Sequence, residues 1–139
     1  KQGKTFREAL MTREYEPDGP NYTPRISGII NEDGSIELSI LKSADGNPAC
    51  CCRYFFSYDK PLSGTGYFIS TYKGDGSPLP SFEGEPMAVS LPAEDMDIWE
   101  VLNPENKVSL YTCTLDSSLN ILNQQIINKN SDKVNKINI

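Results

Sequence analysis

Arg25-Ile-Ser-Gly-Ile-Ile-Asn-Glu-Asp-Gly-Ser-Ile-Glu-Leu-Ser-Ile-Leu41 decides the fold. Ile26, Gly28 and Ile30 alternate with Ser27 and Ile29. Beyond Glu32-Asp33-Gly34, Ile36, Leu38 and Ile40 alternate with Glu37, Ser39 and Leu41. Side chains of a strand point to opposite faces in turn, so a period of two puts each apolar set on one face, and Asp-Gly is a preferred hairpin connection. The stretch therefore predicts two antiparallel strands.

Working outward, Asp45-Gly46-Asn47-Pro48 predicts a second turn into a strand over Cys51 to Tyr58. Pro61 to Gly64 leads to another strand over Gly66 to Tyr72, which completes a four-stranded antiparallel meander. Lys73 to Pro86 carries three Gly and three Pro in fourteen positions and predicts a loop held at several restricted points. Loops of that length in compact domains are functional or plain surface connections. Upstream, Thr5-Phe-Arg-Glu8 has capping-box spacing and opens a short helix with Phe6, Ala9 and Leu10 on one face. Downstream, the pattern predicts a brief strand over Met87 to Leu91, a helix over Pro92 to Leu102 and a strand over Val108 to Leu115. Leu119, Leu122 and Ile126 predict a helical stripe within Ser118 to Asn128, followed by a frayed end. The sum is an α+β chain of antiparallel sheets with flanking helices, its folded body at 1–115 and a divergent tail at 116–139.

The 139 residues suit one domain, and 37% hydrophobic content supplies a core. Nineteen acidic against 13 basic residues give a net charge of −6, which disfavours nucleic acid and anionic membranes as partners. With no histidine, Ser-His-Asp and Cys-His nucleophile pairs are excluded, as are His-containing metal sites. Cys50, Cys51, Cys52 and Cys113 match neither a zinc knuckle nor a disulfide framework and predict reduced thiols in a cytoplasmic protein. Cys50 and Cys52 are expected on one strand face as small space-filling groups, with a redox or nucleophilic role as the other reading. No apolar run is long enough for a membrane helix, and no secretory signal opens the chain. Lys1 in place of Met reads as the continuation of a longer chain.

Three polar clusters bear on chemistry. Pro24 biases Thr23 toward extended geometry, so Asn21, Thr23 and Arg25 are expected at period two on one side, where an amide, a hydroxyl and a guanidinium suit a phosphate or carboxamide. The plainer reading is that Arg25 pairs with an acidic residue and Asn21 caps a turn. Ser70-Thr-Tyr-Lys-Gly-Asp-Gly76 sets Tyr72 and Asp75 at a strand end where glycines admit a ligand closely, without the spacing of a phosphate loop or a calcium loop. Glu83 and Glu85 flank Gly84, a like-charge pair expected either to raise one carboxyl pKa or merely to solvate the loop.

Thr5-Phe-Arg-Glu-Ala-Leu10, Arg13 to Gly28, Leu38 to Ser43, Gly66 to Tyr72 and Gly74 to Pro86 together resemble the C-terminal part of bacterial homologues of the archaeal-type IMP cyclohydrolase, over about residues 5 to 111. The resemblance implies a four-layer α-β-β-α fold like that of N-terminal nucleophile hydrolases. It also implies closure of 5-formamidoimidazole-4-carboxamide ribonucleotide to IMP without metal or organic cofactor. Asn21, Thr23, Arg25, Tyr72 and Asp75 are then the expected nucleotide-binding residues, with no catalytic residue assigned. The other half of the family's sequence precedes the segment matching Lys1 and carries most of the ribonucleotide site. A purine ribonucleotide and that N-terminal half, on this or a partner chain, are thus the expected partners, and a homo-oligomer is the expected assembly. Without that half, an exposed apolar sheet face is expected, and an inactive remnant serving as a nucleotide-binding or protein-interaction module is the alternative. Related sequences often read Gly-His-Phe-Ile-His-Thr-Tyr where this chain has Gly66 to Tyr72, so any help those histidines give to proton transfer is lost here.

Overall fold

Thr5 opens the chain's first helix, α1 (Phe6–Leu10), as anticipated. Its hydroxyl accepts the Glu8 amide at 3.1 Å, and the Glu8 carboxylate accepts the Thr5 amide at 3.3 Å. In the computed structural model, which describes residues 3–91, 98–130 and 135–136, two compact units form, Lys1–Leu91 and Pro92–Ile139.

The first unit is organised by β1 (Arg25–Ile30), β2 (Ile36–Ala44) and β3 (Asn47–Tyr58), an antiparallel sheet in that order. The register pairs Ile26 with Ile40 and Ile40 with Tyr54, Gly28 with Leu38 and Leu38 with Phe56, and Ile30 with Ile36 and Ile36 with Tyr58. One face is therefore three apolar rows, as the alternation in the sequence requires. The central strand carries the core: Ser39, Ile40 and Leu41 are essentially inaccessible, and Tyr15 and Phe82 complete it. Burying each such aliphatic side chain stabilises the unit by about 1.5–3 kcal/mol. On the same face Ile26, Ile30 and Tyr54 stay exposed, which is the open apolar surface anticipated. On the opposite face the Arg7 guanidinium lies 4.9 Å from the centre of the Phe55 ring, and Arg53 donates to the Arg13 carbonyl at 2.9 and 3.2 Å.

The fourth strand departs from the expected meander. β4 (Thr65–Phe68) pairs antiparallel with β5 (Met87–Ser90), forming a separate two-stranded sheet. The predicted strand to Tyr72 breaks after Phe68 because Tyr72 takes an isolated bridge to Ser81 across the long loop. Cys51 and Cys52 are half-buried in β3, while Cys50 is exposed and fills no core.

In the second unit α2 (Ile98–Val101) covers the end of the predicted Pro92 to Leu102 helix, whose first six positions lie outside the described residues. β6 (Ser109–Leu115), β7 (Ile121–Asn128) and β8 (Asn135–Lys136) form an antiparallel sheet in that order. The helix expected over 118–128 is thus a strand, and the boundary expected after Leu115 falls inside a hairpin. β-Branched Ile121, Ile126 and Ile127, with helix-poor asparagines, favour the extended form. Leu119 sits in the turn at φ 64° and Leu122 is exposed, so the presumed stripe covers nothing. Most of the frayed end expected beyond residue 129 lies outside the described residues. The described residues thus form mostly antiparallel sheet with two short helices, an α+β composition, and no helix among them is long and apolar enough to cross a membrane.

Candidate functional site

Pro17-Asp-Gly-Pro20 bends the chain so that the Asp18 carbonyl accepts the amides of Asn21 at 3.2 Å and Tyr22 at 3.3 Å. The Asp18 carboxylate accepts the Thr23 amide at 2.7 Å and the Thr23 hydroxyl as well. These bonds to Thr23 hold the Asp18 carboxyl below its ordinary range. Thr23 Oγ1 also meets the Tyr72 hydroxyl. Thr23 has one hydroxyl proton, and an ionised carboxylate only accepts. The direction of the chain follows: Tyr72 donates to Thr23, and Thr23 donates to Asp18. The Tyr72 oxygen is then left with acceptor capacity toward anything beyond it.

Tyr22 at φ 45° interrupts the extended run, so the expected row of Asn21, Thr23 and Arg25 does not form. Each turns to a different partner. The Arg25 guanidinium pairs with Glu16 at 3.1 Å, with both side chains about half exposed, as the plainer reading anticipated. Its Nε is buried with no partner among the described residues. Asn21 Oδ1 accepts the Leu79 amide at 2.9 Å and so fastens the long loop to the turn. That loop closes on itself through Lys73 N to Pro80 O at 3.0 Å and Phe82 N to Thr71 O at 3.1 Å, which gives it the order its prolines predicted.

Between the fastened loop, the Asn21 turn and the end of β2 lies a cavity of about 340 Å³. Its polar groups are Asn21, Lys42, Ser43, Asp45, Ser81 and Glu83. Asp45 and Gly46, at φ 51° and 74°, make the tight left-handed connection between β2 and β3 and bring the Asp45 carboxylate to the rim. The Lys42 ammonium donates to the Phe82 carbonyl at 3.0 Å and lies 5.7 Å from the Tyr54 ring centre. Lys73, 3.0 Å from Glu83, lowers the Glu83 carboxyl pKa, with Lys42 adding a weaker pull. For Glu83 that is the opposite of the rise considered for a Glu83 and Glu85 pair, because the ammonium of Lys73 bonds to its carboxylate. Among the described residues no three His, Cys, Asp or Glu side chains converge as a metal site.

Of the five expected residues, only Asn21 lines the cavity. Thr23 and Tyr72 join each other beside it, Arg25 turns to Glu16, and Asp75 stands exposed near the loop tip. Lys42, Ser43, Asp45 and Ser81, which line the cavity as well, are not among the residues the sequence singles out. Their signal lay in position: Lys42 and Ser43 close β2 immediately before an Asp-Gly turn, where a strand end meets a loop. A family model described as IMP cyclohydrolase-like protein matches residues 1–118. No curated protein and no solved structure matches the chain.

Proposed function

We propose, from the premise that this chain belongs to the IMP cyclohydrolase-like family, that it builds one wall of a site closing 5-formamidoimidazole-4-carboxamide ribonucleotide to IMP. The family match over residues 1–118 carries this reading. In the reaction the carboxamide nitrogen attacks the formyl carbon and forms the new C–N bond. The carboxamide nitrogen gives up one of its two protons and the formamido nitrogen its one, the former formyl oxygen takes both and leaves as water, and a C=N bond forms between the formyl carbon and the formamido nitrogen. No electrons are transferred, so the chemistry asks for orientation and proton movement.

The chain supports the first of these. Tyr72, Thr23 and Asp18 form an aligned hydrogen-bonded series whose outer oxygen accepts, which suits holding an amide N–H. The lowered Asp18 pKa makes it a poor base, so the series orients rather than deprotonates. Arg25 and Asp75 complete the proposed nucleotide-binding set with Asn21. We place the chain as the C-terminal part of a four-layer α-β-β-α fold of the archaeal-type enzyme in a bacterial relative. Ring closure then needs the family's N-terminal half, which supplies the rest of the ribonucleotide site and covers the apolar face of β1 to β3.

Mixing the purified chain with a separately produced N-terminal half and following IMP formation by ultraviolet absorbance tests the reading. Ring closure by the mixture, and by neither part alone, is expected. A folded complex that forms no IMP sinks it and leaves the nucleotide-binding or protein-interaction module as the function.

A further inference from the structure

The cavity beside Asn21 has a charge arrangement that selects among the parts of a nucleotide. Among the described residues one cation, Lys42, lines it, against two carboxylates, Asp45 and Glu83. The ammonium already gives one N–H to the Phe82 carbonyl, and Lys73 satisfies Glu83 from outside the lining. With Glu83 paired to Lys73, Lys42 and Asp45 are left to balance each other, so a phosphate dianion entering here finds no surplus of positive charge and one carboxylate opposing it, and like charges in contact select against a ligand. Donors and acceptors nevertheless stand side by side. Asn21 uses its carbonyl on Leu79 and keeps its amide N–H groups, Lys42 keeps two N–H groups, and the two carboxylates accept.

Resting on the ring-closure reading, we infer that this cavity holds an uncharged, donor-and-acceptor part of the nucleotide, either the carboxamide-bearing ring or the ribose hydroxyls, and excludes the phosphate. A primary carboxamide offers its oxygen to Asn21 or Lys42 and its N–H groups to a carboxylate. A ribose diol offers the same two functions on adjacent oxygens. Loop and turn hold the groups in place before a ligand arrives, because Asn21 ties Leu79 down and the Asp45-Gly46 connection is short.

Direct binding to the isotopically labelled full chain tests this without requiring catalysis. Four probes are titrated while the amides of Gly46 and Leu79 and the Asn21 side-chain NH₂ are followed by NMR: 5-aminoimidazole-4-carboxamide riboside, the same base without sugar, methyl β-ribofuranoside and inorganic phosphate. The riboside is expected to move all three signals and phosphate none. Response to the free base assigns the carboxamide end, and response to the ribofuranoside assigns the sugar. Lys42→Met and Asp45→Asn should each weaken the riboside about three- to tenfold, the worth of one hydrogen bond. The double change Asp45→Asn with Glu83→Gln should let phosphate in. Phosphate binding to the unaltered chain at least as well as the riboside, or silence from all three uncharged probes, overturns the inference even if the complemented enzyme forms IMP. Riboside binding without ring closure leaves it standing and removes only the catalytic reading.

Discussion

Two hairpins of this chain are built on nearly the same turn and differ in almost everything else. Between β1 and β2, five residues, Asn31 to Ser35, connect the strands. The Asp33 carboxylate accepts the Ser35 amide at 2.9 Å, and the fourth residue, Gly34, takes the left-handed conformation at φ 84°. Between β6 and β7 the connector is again five residues, Asp116 to Asn120. Here the Asp116 carboxylate accepts the amides of Ser118 at 2.8 Å and Asn120 at 2.9 Å, and the fourth residue, Leu119, is left-handed at φ 64°. The first hairpin feeds the central strand of a sheet and buries Ser39, Ile40 and Leu41. The second buries no residue among those described. Turn chemistry alone therefore specifies where a chain reverses, while burial decides how firmly the reversal is kept.

The largest test of that contrast is truncation of one leucine in each hairpin. Leu41 is fully inaccessible, so Leu41→Ala should cost about 2–5 kcal/mol through lost burial and the cavity left behind. Leu122 is 63% exposed, and Leu122→Ala should stay within about 0.5 kcal/mol. Urea unfolding curves followed separately in the two hairpins measure both. Equal losses would mean that the second hairpin is buried in solution.

A middle-sized effect comes from exchanging the left-handed residues. A Cβ on Gly34 would meet nothing within 4 Å, so Gly34→Ala isolates the backbone cost and should destabilise the first hairpin by about 1 kcal/mol. Leu119→Gly relieves the same strain in the second. Relief of about 1–2 kcal/mol, less the roughly 0.5–1 kcal/mol that glycine's unfolded freedom takes back, leaves a small net gain. Amide exchange in Ser109 to Asn128 should slow accordingly; faster exchange would show that the Leu119 side chain contributes more than its backbone costs.

The same pair explains what could be read from residues alone. Gly34 after Asp33 announces its turn, and Ile26, Gly28 and Ile30 before it and Ile36, Leu38 and Ile40 after it fall at a period of two, so both strands are legible. Leu119 hides a similar turn behind a residue that rarely adopts positive φ, and Ile-Leu-Asn-Gln-Gln-Ile-Ile has no clean period, so the residues alone suggest a helical stripe where a strand runs. At the candidate site, Asn21, Thr23 and Tyr72 could be picked out because prolines and a strand boundary mark them. Their partners could not, because the 58-residue separation of Asn21 from Leu79 and the 49-residue separation of Thr23 from Tyr72 carry no local signal. Tyr22's positive φ likewise scattered a row that Pro24 made plausible.

The smallest expected effect is a dependence on acid confined to the turns. Bonds from Asn120 and then Ser118 hold the Asp116 carboxyl below its ordinary value, and bonds from Ser35 do the same for Asp33. A carboxyl whose folded pKa is depressed contributes stability that is fully present above the unfolded value of about 3.9 and is lost as pH falls through the lower folded value. Neither hairpin should change between neutral pH and about pH 5, therefore, since both carboxyls are ionised folded and unfolded across that span. As pH falls below about 4 toward the lower folded values, both turns lose the contribution of these bonds, but the first hairpin still has Ile40 and Leu41 buried beneath it. Fraying on acidification should appear first in the amides of Ser109 to Asn128, and Asp116→Asn should flatten that response while leaving Arg25 to Leu41 untouched. Simultaneous loss of protection in both hairpins would show that one cooperative transition governs them, and that burial under β2 protects the two alike.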